Sequence, residues 1–160
     1  MTDLLNGKVA IITGGSKGIG FGIAERFTNE GATVIICSRT ESDLSEVSDK
    51  IGCDYYQLDV SDSKKIKSMV EWFTDKYSKL DILVNNAGLI RPGRINEVNE
   101  EDWDIQLDVN LKGPYLMSNN FLPYMNKGGS ILNIASTVGL RAMKGAAAYC
   151  ASKGGVVNLT

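Results

Sequence analysis

Apolar positions along the chain alternate between two patterns. Runs of consecutive apolar residues at Lys8–Ile12 (KVAII) and Thr33–Cys37 (TVIIC) fit strands buried on both faces. Between such runs the apolar residues recur every three or four positions. Leu44, Val47 and Ile51 do so within Glu41–Ile51, and Ile66, Met69, Val70, Phe73 and Tyr77 do so from Asp62 to Ser78. The pattern predicts further strands at Asp54–Gln57, Asp81–Val84 and Ser130–Ala135. It predicts a first helix that follows the glycine-rich stretch Thr13–Gly20, runs to about Glu30 and is broken by Gly31. A long helical stretch is expected from Glu100 to about Met125, with a kink or break at Gly113-Pro114, and a last helix from Tyr149 onward.

Strand and helix signals therefore alternate throughout, which points to an α/β fold with a parallel sheet. Right-handed crossovers make it doubly wound, with helices on both faces. No repeat, low-complexity segment or linker interrupts the pattern, so residues 1–160 are expected to form one domain. The segment Val156–Thr160 reads as helix and carries no cap or breaker. The pattern is therefore expected to continue beyond Thr160, and the end resembles a cut.

Composition narrows the chemistry. The chain is 43% hydrophobic and 22% charged, an ordinary globular balance, and its net charge of −2 offers no basic face for nucleic acid and no polybasic membrane anchor. No apolar run reaches the roughly 20 residues of a transmembrane helix, and Met1–Lys8 lacks a signal-peptide pattern, so a cytoplasmic protein is expected. The three cysteines, with no CxxC pair, argue against a disulfide frame or a zinc site. Histidine is absent, which removes the commonest metal ligand and the commonest general base. Acid–base work must fall to Tyr, Lys, Asp, Glu or Cys, and no metal is expected.

Two segments suggest a site. Thr13-Gly14-Gly15-Ser16-Lys17-Gly18-Ile19-Gly20 lies between the first strand and the first helix. Glycines there let the backbone approach a pyrophosphate at a helix N-terminus. The spacing is G-x-x-x-G-x-G rather than the common G-x-G-x-x-G, and a turn that merely allows close strand–helix packing would read the same way. Tyr149 and Lys153 are four residues apart and share a helix face. An ordinary tyrosine, with a pKa of about 10, is a poor base at neutral pH, and a neighbouring ammonium favours its phenolate. A surface Tyr–Lys pair is the plain alternative. Ser136 as a turn cap, Asn110 as a kink residue and Asp59 as a turn start are the plain alternatives elsewhere.

Taken together, Thr13-Gly14-x-x-x-Gly18-x-Gly20, Asp59-Val60, Asn85-Asn86-Ala87-Gly88, Asn110, Ser136 and Tyr149-x-x-x-Lys153 resemble the short-chain dehydrogenase/reductase family over essentially the whole chain. The chain departs by having Ala135 where many relatives have a second serine. The resemblance implies a Rossmann fold, here without its C-terminal strands, and a homo-oligomer in full-length form. It implies that Gly14, Ser16, Lys17, Gly18, Ile19 and Gly20 hold the dinucleotide, that Asp59 and Val60 meet the adenine, and that Asn86, Ala87 and Gly88 pass the adenosine ribose. Ser136, Tyr149 and Lys153 become the catalytic set. Asn110 joins them, holding a water in a proton relay, and Lys153 also holds the nicotinamide ribose.

The implied activity is hydride transfer between a nicotinamide cofactor and a small secondary alcohol or ketone. The second strand ends in Ser38-Arg39 rather than an acidic residue, and with Lys17 this favours NADP(H) over NAD(H). A non-catalytic dinucleotide-binding or interaction fragment is the alternative.

Overall fold

A computed structural model describes residues 3–160. The five strands are β1 (Val9–Thr13), β2 (Thr33–Ser38), β3 (Asp54–Gln57), β4 (Leu80–Asn85) and β5 (Met125–Asn133). The helices are α1 (Gly18–Asn29), α2 (Glu41–Ile51), α3 (Ser63–Lys76), α4 (Glu100–Leu107), α5 (Gly113–Phe121) and α6 (Ala147–Leu159). All strand pairs are parallel and the order across the sheet is β3-β2-β1-β4-β5. This is the expected doubly wound, Rossmann-like α/β architecture.

The apolar runs become strands because both faces of the sheet are covered. Along β2, Ile35 and Cys37 point into one core, while Val34 and Ile36 point into the other. On the first face they meet Ile66, Met69 and Phe73 of α3 and Met117 and Phe121 of α5. On the second they meet Ala24 of α1 and Leu44 and Val47 of α2. Alternation along a strand thus feeds two cores at once. Among the described residues no helix is long and apolar enough to cross a membrane.

From β1 the chain builds outward to β3, then crosses back to lay β4 on the other side of β1. The connections leaving β1 and β4 diverge, and a crevice opens at their C-terminal ends. Both the glycine-rich stretch and Asn86-Ala87-Gly88 lie at this crevice.

Two predicted elements are corrected. The strand expected at Ser130–Ala135 is β5, which begins at Met125 and ends at Asn133. Its first half, Met125–Gly129, is polar and glycine-rich and carries no apolar signal; it pairs Met125 with Leu80 before a register shift. The long helix beyond Glu100 does not break at Gly113-Pro114. The irregularity is a π-turn at Asp108–Lys112, and Pro114, which has no backbone N–H to donate to the preceding turn, follows it within the same helical run. Nor does the helix reach Met125, because α5 ends at Phe121 and one 3₁₀ turn leads into β5.

The sheet end opposite the crevice is tied by a nearly buried carboxylate. Asp81 accepts from the Val9 backbone N–H at 3.0 Å, from Asn126 Nδ2 at 2.9 Å and from Lys8 Nζ at 3.3 Å, so it links β1, β4 and β5. Burial works to raise its pKa, but these hydrogen bonds and the Lys8 charge outweigh burial and hold it below the ordinary carboxylate range. A depressed folded-state pKa stabilises the fold above the unfolded value and loses that effect as pH falls through the folded value. Asp81→Asn is expected to lose about 1–3 kcal/mol of urea-unfolding free energy at pH 7. The gap to wild type should narrow as pH falls below about 4 and close only below the depressed folded-state value, where the wild-type carboxyl also protonates. A gap that stayed constant with pH would contradict this account.

Candidate active site

The glycine-rich turn is shaped as much by packing as by any ligand. A Cβ on Gly20 would lie 2.2 Å from the Gly14 carbonyl oxygen and 2.5 Å from Asn86 Nδ2. Gly18 differs: it has φ +54° and open space where a side chain would be. Close packing therefore demands Gly20, and left-handed backbone demands Gly18. At the start of α1 no side chain caps the first turn and no acidic residue occupies it, whereas Asp62 caps α3 and Asn99 caps α4. The N-terminus of α1 is thus a suitable seat for an anion, and a dinucleotide pyrophosphate fits it.

Thr13 and Asn86 lock this turn to the end of β4. Thr13 Oγ1 accepts the backbone N–H groups of Asn86 and Ala87, both at 3.0 Å. Asn86 Nδ2 donates to the carbonyls of Thr13 at 2.9 Å and Gly14 at 3.2 Å. Beside this lock a cleft of about 300 Å³ is lined by Gly14, Ser16, Lys17, Ser38, Arg39, Asp59, Val60, Ala87 and Gly88 among others. Nine of the residues singled out in the sequence are thus brought together in one cleft.

Asp59 is half-buried there and accepts from Ser61 N–H at 2.9 Å and Ser61 Oγ at 2.6 Å. Burial works to raise its pKa; the Ser61 bonds, with Arg39 and Lys65 nearby, outweigh it and hold the carboxyl below its ordinary range. Arg39 is exposed. Lys17 is paired: its Nζ lies 2.6 Å from Asp43 Oδ2.

A second cleft of about 230 Å³ shares Gly88 and Leu89 with the first and is lined by Ile19, Asn86, Ala135, Tyr149 and Lys153. Lys153 is 5% exposed, donates to the Ile134 carbonyl at 2.7 Å and lies 5.9 Å from the centre of the Tyr149 ring. Burial pushes its pKa down. Ser136 is not among the residues lining this cleft. Its Oγ accepts from Val138 N–H at 3.4 Å and caps the 3₁₀ turn Thr137–Gly139.

Asn110, fully buried in the π-turn, donates to the Leu89 carbonyl at 2.8 Å and to Ser152 Oγ at 3.0 Å, and accepts from Leu89 N–H at 2.8 Å. It ties the chain after β4 to the helix that carries Tyr149 and Lys153. Sequence reading missed two polar residues here. Buried Gln106 accepts from Arg91 N–H at 2.9 Å, one turn before Asn110. Asp43 faces the first cleft. Gln106 carries no motif signal, and Asp43 reads as one of several acids at a helix start.

A family model described as short chain dehydrogenase matches residues 8–160. The chain belongs to the short-chain dehydrogenase family. It is 42% identical over 163 aligned residues to the 3-oxoacyl-(acyl-carrier-protein) reductase FabG of Thermotoga maritima, covering 98% of this chain and 66% of that protein. It is 38% identical over 161 residues to galactitol 2-dehydrogenase of Agrobacterium fabrum, covering 98% and 63%. The solved structure of the oxidoreductase yciK from E. coli superposes with a TM-score of 0.95 at 28% identity, covering 99% of this chain and 70% of that one. The chain thus spans about two thirds of the length of these short-chain dehydrogenase relatives.

Replacing Asn110 by Leu removes the partners of both backbone groups of Leu89, which is half-buried, at up to about 1–3 kcal/mol for each unpaired group. The variant should unfold several degrees earlier in a thermal melt. An unchanged midpoint would show that the Asn110 bridge does not hold the loop.

Proposed function

We propose that the protein is an oxidoreductase that moves a hydride between NADP(H) and a secondary alcohol or ketone, with Tyr149 as the general acid/base. One observation supports this above the rest. The cleft at the β1, β2 and β4 ends shares Gly88 and Leu89 with the cleft that Tyr149 and Lys153 line. The trough suits an extended dinucleotide whose adenosine lies by Ser38, Arg39 and Asp59 and whose nicotinamide end lies by Tyr149. The relatives named above, a reductase of a 3-oxo group and a dehydrogenase of a polyol, share the ketone/secondary alcohol pair as chemistry.

When bound, the nicotinamide supplies or accepts the hydride. Tyr149 gives a proton to the substrate oxygen in reduction and takes it back in oxidation. Lys153 works from a dry position. Its ammonium is aimed by the Ile134 carbonyl and lies 5.9 Å from the centre of the Tyr149 ring. It also supplies donors for the nicotinamide ribose hydroxyls. The Ser136 oxygen accepts from Val138 and keeps its own proton to donate to the substrate oxygen. Both amide donors of Asn110 are committed, so a relay water would have to donate to Oδ1. At the adenosine end, Arg39 offers a forked pair of donors to a 2′-phosphate, and no acidic residue stands at Ser38 to repel it.

Tyr149→Phe should lower turnover by about 10²–10⁴-fold while nucleotide affinity, read by fluorescence titration, stays within about twofold of wild type. A Phe variant that kept most of its activity would remove Tyr149 from the proton transfer. In the same titration wild type should bind NADPH more tightly than NADH, and Arg39→Asp should weaken NADPH by about tenfold with little effect on NADH. Equal affinities in wild type, or no change in the variant, would exclude the NADP(H) assignment.

A further inference from the structure

The cleft wall at the ends of β1 and β2 contains an anion of its own. Lys17 is the residue just before α1 and has extended backbone, with φ −147° and ψ 161°. Its ammonium lies 2.6 Å from Asp43 Oδ2. Asp43 is the third residue of α2, a helix whose leading residue, Thr40, makes no side-chain cap. The carboxylate therefore sits in the positive end of the α2 dipole and on a lysine at once. Lys17, Ser38, Arg39, Thr40 and Asp43 all line the same cleft.

We infer that Asp43 is a specificity-determining residue: an internal anion that occupies Lys17 and competes with the 2′-phosphate of NADP(H). The inference rests on the reading that this end of the cleft receives that phosphate. A dianionic phosphate drawn to Lys17 and Arg39 must approach a carboxylate already engaged with one of them. Like charges sharing one cation repel, so binding NADP(H) requires the Lys17–Asp43 pair to open. NAD(H), with a hydroxyl at that position, makes no such demand and leaves the pair closed. Asp43 thus narrows the preference that Ser38 and Arg39 create. The Lys17 side chain is 74% exposed, which limits the strength of the pair and makes it salt-sensitive.

The test is a set of nucleotide fluorescence titrations with NADPH and NADH on wild type, Asp43→Asn, Lys17→Met and the double variant, at low and at physiological ionic strength. Glu41→Gln serves as control, since it removes the same charge from the same helix turn but does not line the cleft. Asp43→Asn should tighten NADPH about three- to tenfold at low salt and leave NADH unchanged. The gain should shrink at higher salt and vanish in the Lys17→Met background. If Asp43→Asn leaves NADPH affinity unchanged, or weakens it, Asp43 does not compete with the phosphate. An equal gain in Glu41→Gln would reduce the effect to net charge and also overturn the inference. The Arg39→Asp result reports separately on whether the phosphate is read here at all.

Discussion

The hydroxyl of Thr13 is the point from which the site is built. It is 2% exposed and uses all its capacity: it accepts from Asn86 and Ala87 and donates to the Val84 carbonyl at 3.3 Å. Those bonds hold together the ends of β1 and β4, the two strands whose connections diverge at the crevice. Asn86 then reaches back to the carbonyls of Thr13 and Gly14. The start of the glycine-rich turn and the Gly88–Leu89 segment shared by the two clefts acquire a fixed separation as a result. A valine of the same shape at position 13 would leave the Ala87 N–H without its partner and the Asn86 N–H with only the Val84 carbonyl, at 3.1 Å.

Charge is handled differently at the two ends of the sheet. At the closed end, Asp81 collects three donors, and the effect is to brace three strands. At the open end, Lys153 is slightly more buried but is held by one carbonyl, so its charge remains directed toward Tyr149. Asn110 makes this possible indirectly. By joining Leu89 to Ser152 it fixes α6 against the chain leaving β4, and so sets where the ammonium emerges.

Much of this was legible in the sequence where local pattern and tertiary environment agree. Both faces of β1 and β2 are buried, so their residues had to be uniformly apolar. The bounds of α2 were legible from Leu44, Val47 and Ile51 at helical spacing within Glu41–Ile51, and Gly52, at φ +70°, ends the helix. The early half of β5 was not legible, because Met125–Gly129 is extended through pairing with β4 and not through any preference of its own. The π-turn was hidden because nothing in Asp108–Lys112 marks an extra residue in the turn, and the conspicuous Gly-Pro pair directly after it drew the expectation away. At the site, the residue types announced themselves through spacing. Their partners did not: the Lys17–Asp43 pair and the Gln106–Arg91 bond join segments whose proximity exists only in the folded chain.

The π-turn fixes the length of the chain at one place. Each residue of an α-helix turns the chain by about 100° and advances it by 1.5 Å. A π-turn carries one residue more than the α-helical path would need. Loss of a single codon between Asp108 and Lys112 would let the turn relax into regular helix, and α5 would be rotated by about that angle. Met117 and Phe121, both fully buried, would swing away from the sheet, and Asn110 would lose its register with Leu89 and Ser152. Loops elsewhere on the surface can lengthen and shorten over evolutionary time; this segment can change its letters but not its count.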